Sequence, residues 1–386
     1  MSYKIVKLGE ICDFQGGSQP PKSNFIFEPK KDYIRFIQIR DFKSDKNFTY
    51  IPISKKNNIC KNTDILIGRY GASVGKILTG LSGAYNVALM KTIPNEKIID
   101  KKFLHYYLIS DLFQEPLKKI SERSAQNGFS KDNIYNFSFA LPSHLDQQSI
   151  VAKLDAVFAE IDKGISQTQK LIENTNLLFE EKIKQYFINN ITNSPIVKLS
   201  DISEYFNGLT YSPKDVSEDG LIVLRSGNIQ NGKMKYQDIK RVNKKIKDKL
   251  YVKPTDILIC SRNGSQRLIG KSSLIGEIKE PMTFGTFMMI LRSEHNEYLQ
   301  WFIKSKLFKK QILKGENTMI NQITRYMLDD ISLPFPDKKN YTKIAKELGE
   351  LDGHIRMLNK ILNIKIDNFK ALKSSILQQE LLDKVA

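Results

Sequence analysis

Cysteine is scarce in this 386-residue chain, which carries only Cys12, Cys60 and Cys260, far apart and without a C-x-x-C pair. That spacing excludes a disulfide framework and a cysteine-based zinc site, and it fits a reducing compartment. The four histidines, His105, His144, His295 and His354, have no H-x-x-x-H partner and no cysteine neighbour, so no metal-ligating pattern is present in the sequence. No apolar run approaches the ~20 residues of a membrane span, and the opening stretch holds no long apolar segment of an export signal. The expectation is a cytoplasmic chain that neither crosses nor leaves a membrane.

Catalytic motifs are equally sparse. There is no G-x-S-x-G, and no Asn-Pro-Pro-Tyr or Asp-Pro-Pro-Tyr of the kind an amino-methyltransferase uses to hold its base. The nearest approach to a phosphate-binding loop is Gly264 to Gly270 followed by Lys271 and Ser272, with five residues between the glycines where such a loop has four. The first half offers Gly68 to Gly75 with Lys76, but Ile77 stands where a magnesium-binding hydroxyl would be needed. Carboxylates concentrate in helical charge patterns such as Glu180-Glu181-Lys182, a solvated face. The expectation is a chain with no active site and no cofactor or metal of its own.

Negative charge is also in deficit, with 42 Asp and Glu against 60 Lys and Arg, a formal net charge of +18. A polyanion is the partner class that such a balance favours. Hydrophobic residues make up 41% of the chain and charged ones 26%, the proportions of a folded protein, and the length accommodates two cores.

What the chain does have is a repeat. Val6-Lys7-Leu8-Gly9-Glu10-Ile11 returns as Val197-Lys198-Leu199-Ser200-Asp201-Ile202. Lys61-Asn62-Thr63-Asp64-Ile65-Leu66-Ile67 returns as Lys253-Pro254-Thr255-Asp256-Ile257-Leu258-Ile259, and Leu141-Pro142 as Leu333-Pro334. The order is kept at an offset of about 190 residues, too long for a solenoid repeat, so a whole domain is duplicated.

Each copy ends in helical texture. Ile150, Leu154, Val157, Ile161, Ile165, Ile172, Leu178 and Tyr186 recur at mostly three- and four-residue steps, without a proline from Asp146 to Asn190. The second seam, Ile344, Leu348, Leu351, Ile355, Leu358, Leu362, Ile366, Phe369, Leu372 and Ile376, is closer to an a/d pattern. Each run predicts a helix of about 40 residues and roughly 60 Å. A seam that narrow is buried by one partner helix, with Leu154, Val157 and Ile161 facing Leu348, Leu351, Ile355, Leu358 and Phe369. The fold class is therefore α+β, with mixed domains over 1–145 and 193–337 and long spacer helices over 146–192 and 338–386. Within the domains, Leu221–Leu224, Ile229, the turn pair Asn231-Gly232 and Lys233–Tyr236 predict a hairpin, while Phe103–Ile109 and Tyr298–Ile303 predict core helices.

The candidate DNA readers lie on polar, glycine-rich loops. In the first copy they are Gln38, Arg40, Arg69, Tyr70, Ser73, Lys76, Asn86, Gln126 and Asn127; in the second they are Arg225, Ser226, Asn228, Arg262, Asn263, Gln266, Arg267, Lys271, Asn317, Thr318, Gln322 and Arg325. Arginine pairs bidentately with guanine, and asparagine or glutamine with adenine, while lysine and serine serve phosphates. Arg69, Arg262 and Arg267 are the strongest of these, because a guanidinium on a glycine-rich loop of a basic domain has few internal partners.

The repeated V-K-L-x-[ED]-I opening, T-D-I-L-I before a glycine loop and Gly-Lys, and the Leu-Pro before each long helix together resemble the specificity subunits of type I restriction–modification systems. The resemblance runs from Val6 to about Gln379. Gln147-Gln148 at the first helix start follows that family's habit, whereas Asn340-Tyr341 departs from it. It implies two target-recognition domains held apart by an antiparallel pair of long helices, each reading one half of an asymmetric, gapped duplex site. It further implies two docked methyltransferase subunits and a possible motor-nuclease subunit, with S-adenosylmethionine, ATP and Mg²⁺ belonging to those partners. A stand-alone or orphan DNA-binding protein and a coiled-coil assembly protein are the alternative readings.

Overall fold

The computed structural model describes residues 4–44, 46, 48–123, 128–313 and 322–382. The chain groups into two compact units, residues 1–168 with 364–386, and residues 169–363. Two long helices, His144–Ile191 and Lys338–Leu382, each have one half in either unit. At 48 and 45 residues they run to about 72 and 68 Å at 1.5 Å per residue.

In the first unit the opening motif becomes a strand, Lys4–Lys7, followed by a single helical turn, Leu8–Ile11. The strand pairs antiparallel with Ser138–Leu141, so the Val-Lys-Leu and Leu-Pro motifs are two sides of one ladder. One sheet runs in the order Cys12–Gly16, Leu89–Pro94, Leu66–Gly68, Ile77–Leu78, antiparallel throughout. The other runs Tyr50–Pro52, Tyr33–Ile37, Gly83–Tyr85, Ile59–Cys60, its central pair parallel. Helices Lys101–Ile109 and Asp111–Arg123 bury Phe103, Leu104, Tyr107, Phe113 and Leu117 against the first sheet.

The second unit repeats this plan. Ile196–Lys198 pairs with Ser332–Pro334, and the antiparallel sheet is Glu204–Asn207, Met288–Arg292, Ile257–Cys260, Ser272–Leu274. The mixed sheet is Val216–Ser217, Lys240–Val242, Leu221–Leu224, Met282–Phe284, again with a parallel pair, Leu221–Leu224 on Met282–Phe284. The expected hairpin is smaller than its sequence pattern. Ile229–Gln230 pairs with Lys233–Met234 across Asn231 and Gly232 at φ of 51° and 68°, as a tight turn of positive φ requires, but Leu221–Leu224 belongs to the mixed sheet.

The repeated Thr-Asp motif is structural. Asp64 accepts the Lys61 amide at 3.0 Å and pairs with Lys101 at 3.0 Å. Asp256 accepts the Lys253 amide at 2.8 Å and, fully buried, takes a bidentate pair from Arg292 at 2.8 and 2.7 Å. In both copies the carboxylate closes the turn into the central strand.

The long helices pack antiparallel within each unit. In the first, Ile150, Leu154, Phe158 and Ile161 share a core with Leu377 and Leu381, flanked by Lys153–Glu380 and, at 2.7 Å, Asp162–Lys373. Gly164 lets the helices approach closely there: a Cβ would stand 2.9 Å from the Phe369 ring, which would have to shift. In the second, Ile183 and Phe187 meet Ile344 and Leu348, and the Tyr186 hydroxyl donates to Glu347 at 2.6 Å. Val157, Leu351, Ile355 and Phe369 are half-buried. The predicted seam fails at Leu178, Leu358 and Leu372, which are 72%, 39% and 48% exposed. A strict 3.5-residue repeat drifts off the contact line of a straight helix of 3.6 residues per turn, and these positions fall on its outer side.

Gln147 anchors the start of the first long helix. Fully buried, it accepts the Asp100 amide at 2.7 Å and donates to the carbonyls of Ile98 and Pro142, both at 3.0 Å. In the second unit an aromatic group takes over this place. Tyr341 hydrogen-bonds His295 at 2.9 Å and packs on Phe335, while Tyr298 donates to the Pro334 carbonyl at 2.8 Å. Gln147→Leu, of similar volume, strands one amide and two carbonyls, and should cost about 2–4 kcal/mol in urea unfolding of the chain.

Candidate nucleic-acid interface

Both domains build the same loop from the same backbone bonds. In the first, the Gly68 amide donates to the Lys76 carbonyl and the Gly75 amide to Gly68, each at 2.9 Å. In the second, the Cys260 amide donates to Lys271 at 2.8 Å and the Gly270 amide to Cys260 at 2.9 Å. Gly75 and Gly270 sit at φ of 77° and 79°, a conformation only glycine adopts without strain, so the shared Gly-Lys closes the loop.

Behind each loop two chain segments cross at a glycine. A Cβ on Gly17 would lie 2.0 Å from the Asn86 carbonyl oxygen, and one on Gly208 2.0 Å from that of Gly285. Ser18 and Leu209 then donate their amides to Tyr85 and Phe284 at 3.1 and 2.7 Å. The crossings therefore match residue for residue, Ser18 with Leu209, Asn86 with Gly285, and Ala88 with Phe287.

Side chains differ on this common frame. In the first domain, Ser18 Oγ, Asn86 Oδ1 and Arg69 Nε are buried without a hydrogen-bond partner among the described residues. Arg69 lies 5.0 Å from the Tyr70 ring centre and makes a long 3.5 Å contact to the Val87 carbonyl. Buried polar atoms without partners are rare and costly, and three of them meet here, where the Arg69 loop adjoins the Ser18–Asn86 crossing. Ser73 is half-buried and Lys76 exposed on the same loop. Gln38 and Arg40 stand apart on a neighbouring turn, both donating to the Thr49 hydroxyl, at 3.4 and 2.9 Å. Ser18 is absent from the readers that the sequence suggests. Its only signal there is the glycine shared by Gly17-Ser18 and Gly208-Leu209, too short to stand out without the pairing.

The second domain divides its candidates among three concavities. Arg262, Gln322 and Arg325 line one of about 730 Å³, with Arg262 and Gln322 joined by a β-bridge. Arg225, Ser226 and Asn263 line another of about 830 Å³. Gln266, Arg267 and Lys271 line a third of about 660 Å³, beside Lys304, Lys309 and Arg356 over an apolar floor. Burial there pushes the Lys304 ammonium down to about 8. Asn228 is not a reader: it is buried and its amide is consumed, accepting from the Arg225 amide at 2.9 Å and donating to Lys235 and Gln237 at 3.0 and 3.2 Å. Lys271 donates to the Ser226 carbonyl at 3.1 Å, and Arg225 to the Asp238 carbonyl at 2.9 Å. Gln126, Asn127, Asn317 and Thr318 lie outside the described residues.

A duplicated mixed domain that presents arginines and amides on matched loops, braced by paired long helices, defines a DNA-reading scaffold. Comparison with known proteins identifies which one. The model of the Type I restriction modification DNA specificity domain matches residues 2–171 and again 192–366, and the chain belongs to that family. The type I restriction enzyme MjaVIII specificity subunit of Methanocaldococcus jannaschii is 22% identical over 384 residues, covering 93% of this chain and 88% of the relative. The EcoKI specificity subunit of Escherichia coli is 30% identical over 165 residues, 40% of this chain and 35% of the relative. Among solved structures, a chain from work on complex assembly and conformational transition of the type I R-M system has a TM-score of 0.73 at 15% identity, covering 98% of this chain and 97% of its own. The HsdS subunit from Thermoanaerobacter tengcongensis has a TM-score of 0.50 at 16% identity, covering 99% and 97%. The chain is a DNA-recognition subunit of the type I restriction–modification class, and the relatives that name its role are specificity subunits, not catalytic ones. No helix among the described residues is long and apolar enough to cross a membrane.

Proposed function

We propose that each domain reads one half of an asymmetric, gapped duplex site, and that the chain works in the cytoplasm as the recognition scaffold for two methyltransferase subunits, with a motor-nuclease subunit joining where the system has one. S-adenosylmethionine, ATP and Mg²⁺ then serve the partners, and this chain takes no cofactor. The observation that carries the reading is the matched pair of loops. Matched backbone closure at Gly68–Lys76 and Cys260–Lys271 holds different side chains, half-buried Arg69 and Tyr70 in one and half-buried Asn263 with exposed Arg262, Gln266 and Arg267 in the other. One frame with two vocabularies is what reading two unlike half-sites requires.

The test is to co-express the chain with the methyltransferase subunit of its own system and map methylated adenines by single-molecule sequencing. A two-part motif that disappears with this chain is the expected result. Arg69→Ala should relax the motif in one half only, and Arg262→Ala in the other, each by about 1–3 kcal/mol of base discrimination. Equal loss in both halves by either substitution would overturn the assignment of one domain to one half-site.

A further inference from the structure

The two domains differ at one matched position in a way that hydrogen-bond readout does not use. Where the first has Ala88, the second has Phe287, and that ring is 55% exposed. Its backbone is held firmly: the Phe287 carbonyl accepts the amides of Ser261 and Arg262 at 3.0 and 3.2 Å, and the Met288 amide closes onto Gly285 at 2.8 Å. The Ala88 carbonyl accepts the Arg69 amide at 2.9 Å in the same manner, so only the side chain is new. Phe287 and Thr286 line both the 730 Å³ and the 830 Å³ concavity, which makes the ring a partition between a polar hollow that holds Arg262, Gln322 and Arg325 and a mainly apolar one that also holds Arg225, Ser226 and Asn263. The Arg262 guanidinium lies 5.8 Å from the ring centre. An apolar ring on a firmly held backbone, beside Arg262 and with a polar hollow on one side and a mainly apolar one on the other, suits a base step, whose edges are polar and whose faces are apolar.

Resting on the half-site reading above, we propose that Phe287 is a wedge with which the second domain, and not the first, unstacks a base step inside its half-site. Apolar side chains inserted between bases unstack and kink a duplex, and stacking on an aromatic ring offsets the lost base stacking. The separated bases face the two hollows, and Arg262 follows the strand or reads the neighbouring pair. Because pyrimidine–purine steps unstack most easily, the step at Phe287 is of that kind, a preference imposed without a hydrogen bond.

The test places 2-aminopurine at successive positions of both half-sites, in duplexes bound by the chain with its methyltransferase subunits. Methyltransferases flip their target base, so fluorescence rises at the two methylated adenines whatever Phe287 does. A further rise, away from those adenines and in the second domain's half-site only, is expected. Phe287→Ala should abolish that rise and weaken binding by about five- to 150-fold, as loss of one base–aromatic stack does. Phe287→Trp should restore both. An unchanged profile and affinity in Phe287→Ala would overturn the wedge, as would a loss of methyltransferase assembly, which would make the ring a protein contact. If the wild-type chain directs no motif at all, the half-site reading fails and the wedge with it, an outcome visible before any variant is made.

Discussion

Aspartate in place of Leu348 is expected to unfold the second unit. Leu348 is fully buried in the core formed by the second long helix, Ile183 and Phe187 of the first, and the aromatic residues of helix Asn296–Lys304. Losing a buried leucine costs about 2–5 kcal/mol, and burying a carboxylate without a partner adds several more. Together these approach or exceed the 5–15 kcal/mol that holds a typical domain. Trp301, the single tryptophan, is buried in the same core and packs edge-on to Phe179, so its fluorescence follows this unit alone. Leu348→Asp should show the unfolded spectrum in buffer. Leu358→Asp, one of the seam positions that the structure exposes, should melt within about 0.5 kcal/mol of the parent. The contrast separates the observed packing from the heptad reading, since that reading makes both substitutions equally damaging. Ile161→Asp is the corresponding lesion in the first unit, where Ile161 is buried with Leu377 and Leu381.

The sequence reveals duplication more readily than it reveals packing. Three short motifs disclose the repeat because each fixes a piece of backbone. Leu8 and Leu199 anchor helical turns, Asp64 and Asp256 close turns, and each Leu-Pro ends a strand paired with the opening one. Such roles constrain residue type locally, so they survive as recognisable words. The parallel pairings Phe36–Ile37 with Ala84–Tyr85 and Ile222–Leu224 with Met282–Phe284 join segments 48 and 60 residues apart, and no local pattern announces them. Helix existence and most of the buried side are legible from periodicity, and the reading is lost only at Leu178, Leu358 and Leu372, because 3.5 and 3.6 residues per turn diverge over 45 residues. The interface is legible as loops and not as residues. Asn228 and Arg262 have the same polar vocabulary in sequence, yet one is spent on three backbone groups and the other is exposed at a concavity. Only the fold tells a turn-holding amide from a free one.

Asp256 and Asp64 occupy the same motif, and the structure predicts that their loss differs sharply. Asp256 is fully buried, and its carboxylate takes both Arg292 Nε and Nη2 while accepting the Lys253 amide, so three donors depend on it. The Arg292 side chain is itself largely buried, and with Asp256→Ala the guanidinium keeps its contact to the Tyr251 carbonyl at 2.9 Å and its place 5.0 Å from the Phe206 ring centre, but no anion. Breaking a buried pair by removing one partner costs about 3–5 kcal/mol, chiefly because the remaining charge stays desolvated. Asp64 lies nearer solvent, and its partners Lys101 and Lys91, at 3.0 and 3.8 Å, are long flexible chains that can swing into water when it is removed. Asp64→Ala should therefore cost about 1–2 kcal/mol, mainly the turn hydrogen bond at Lys61. Urea titration followed by Trp301 should show a large fall in midpoint for Asp256→Ala and almost none for Asp64→Ala, whose effect belongs to the other unit. The double substitution Asp256→Ala with Arg292→Met should recover part of the loss, because it removes the stranded charge together with its partner. If the two single variants shift Trp301 equally, the units do not unfold separately. If Arg292→Met gives no recovery, the desolvated guanidinium is not the origin of the cost, and the turn amide at Lys253 must carry it.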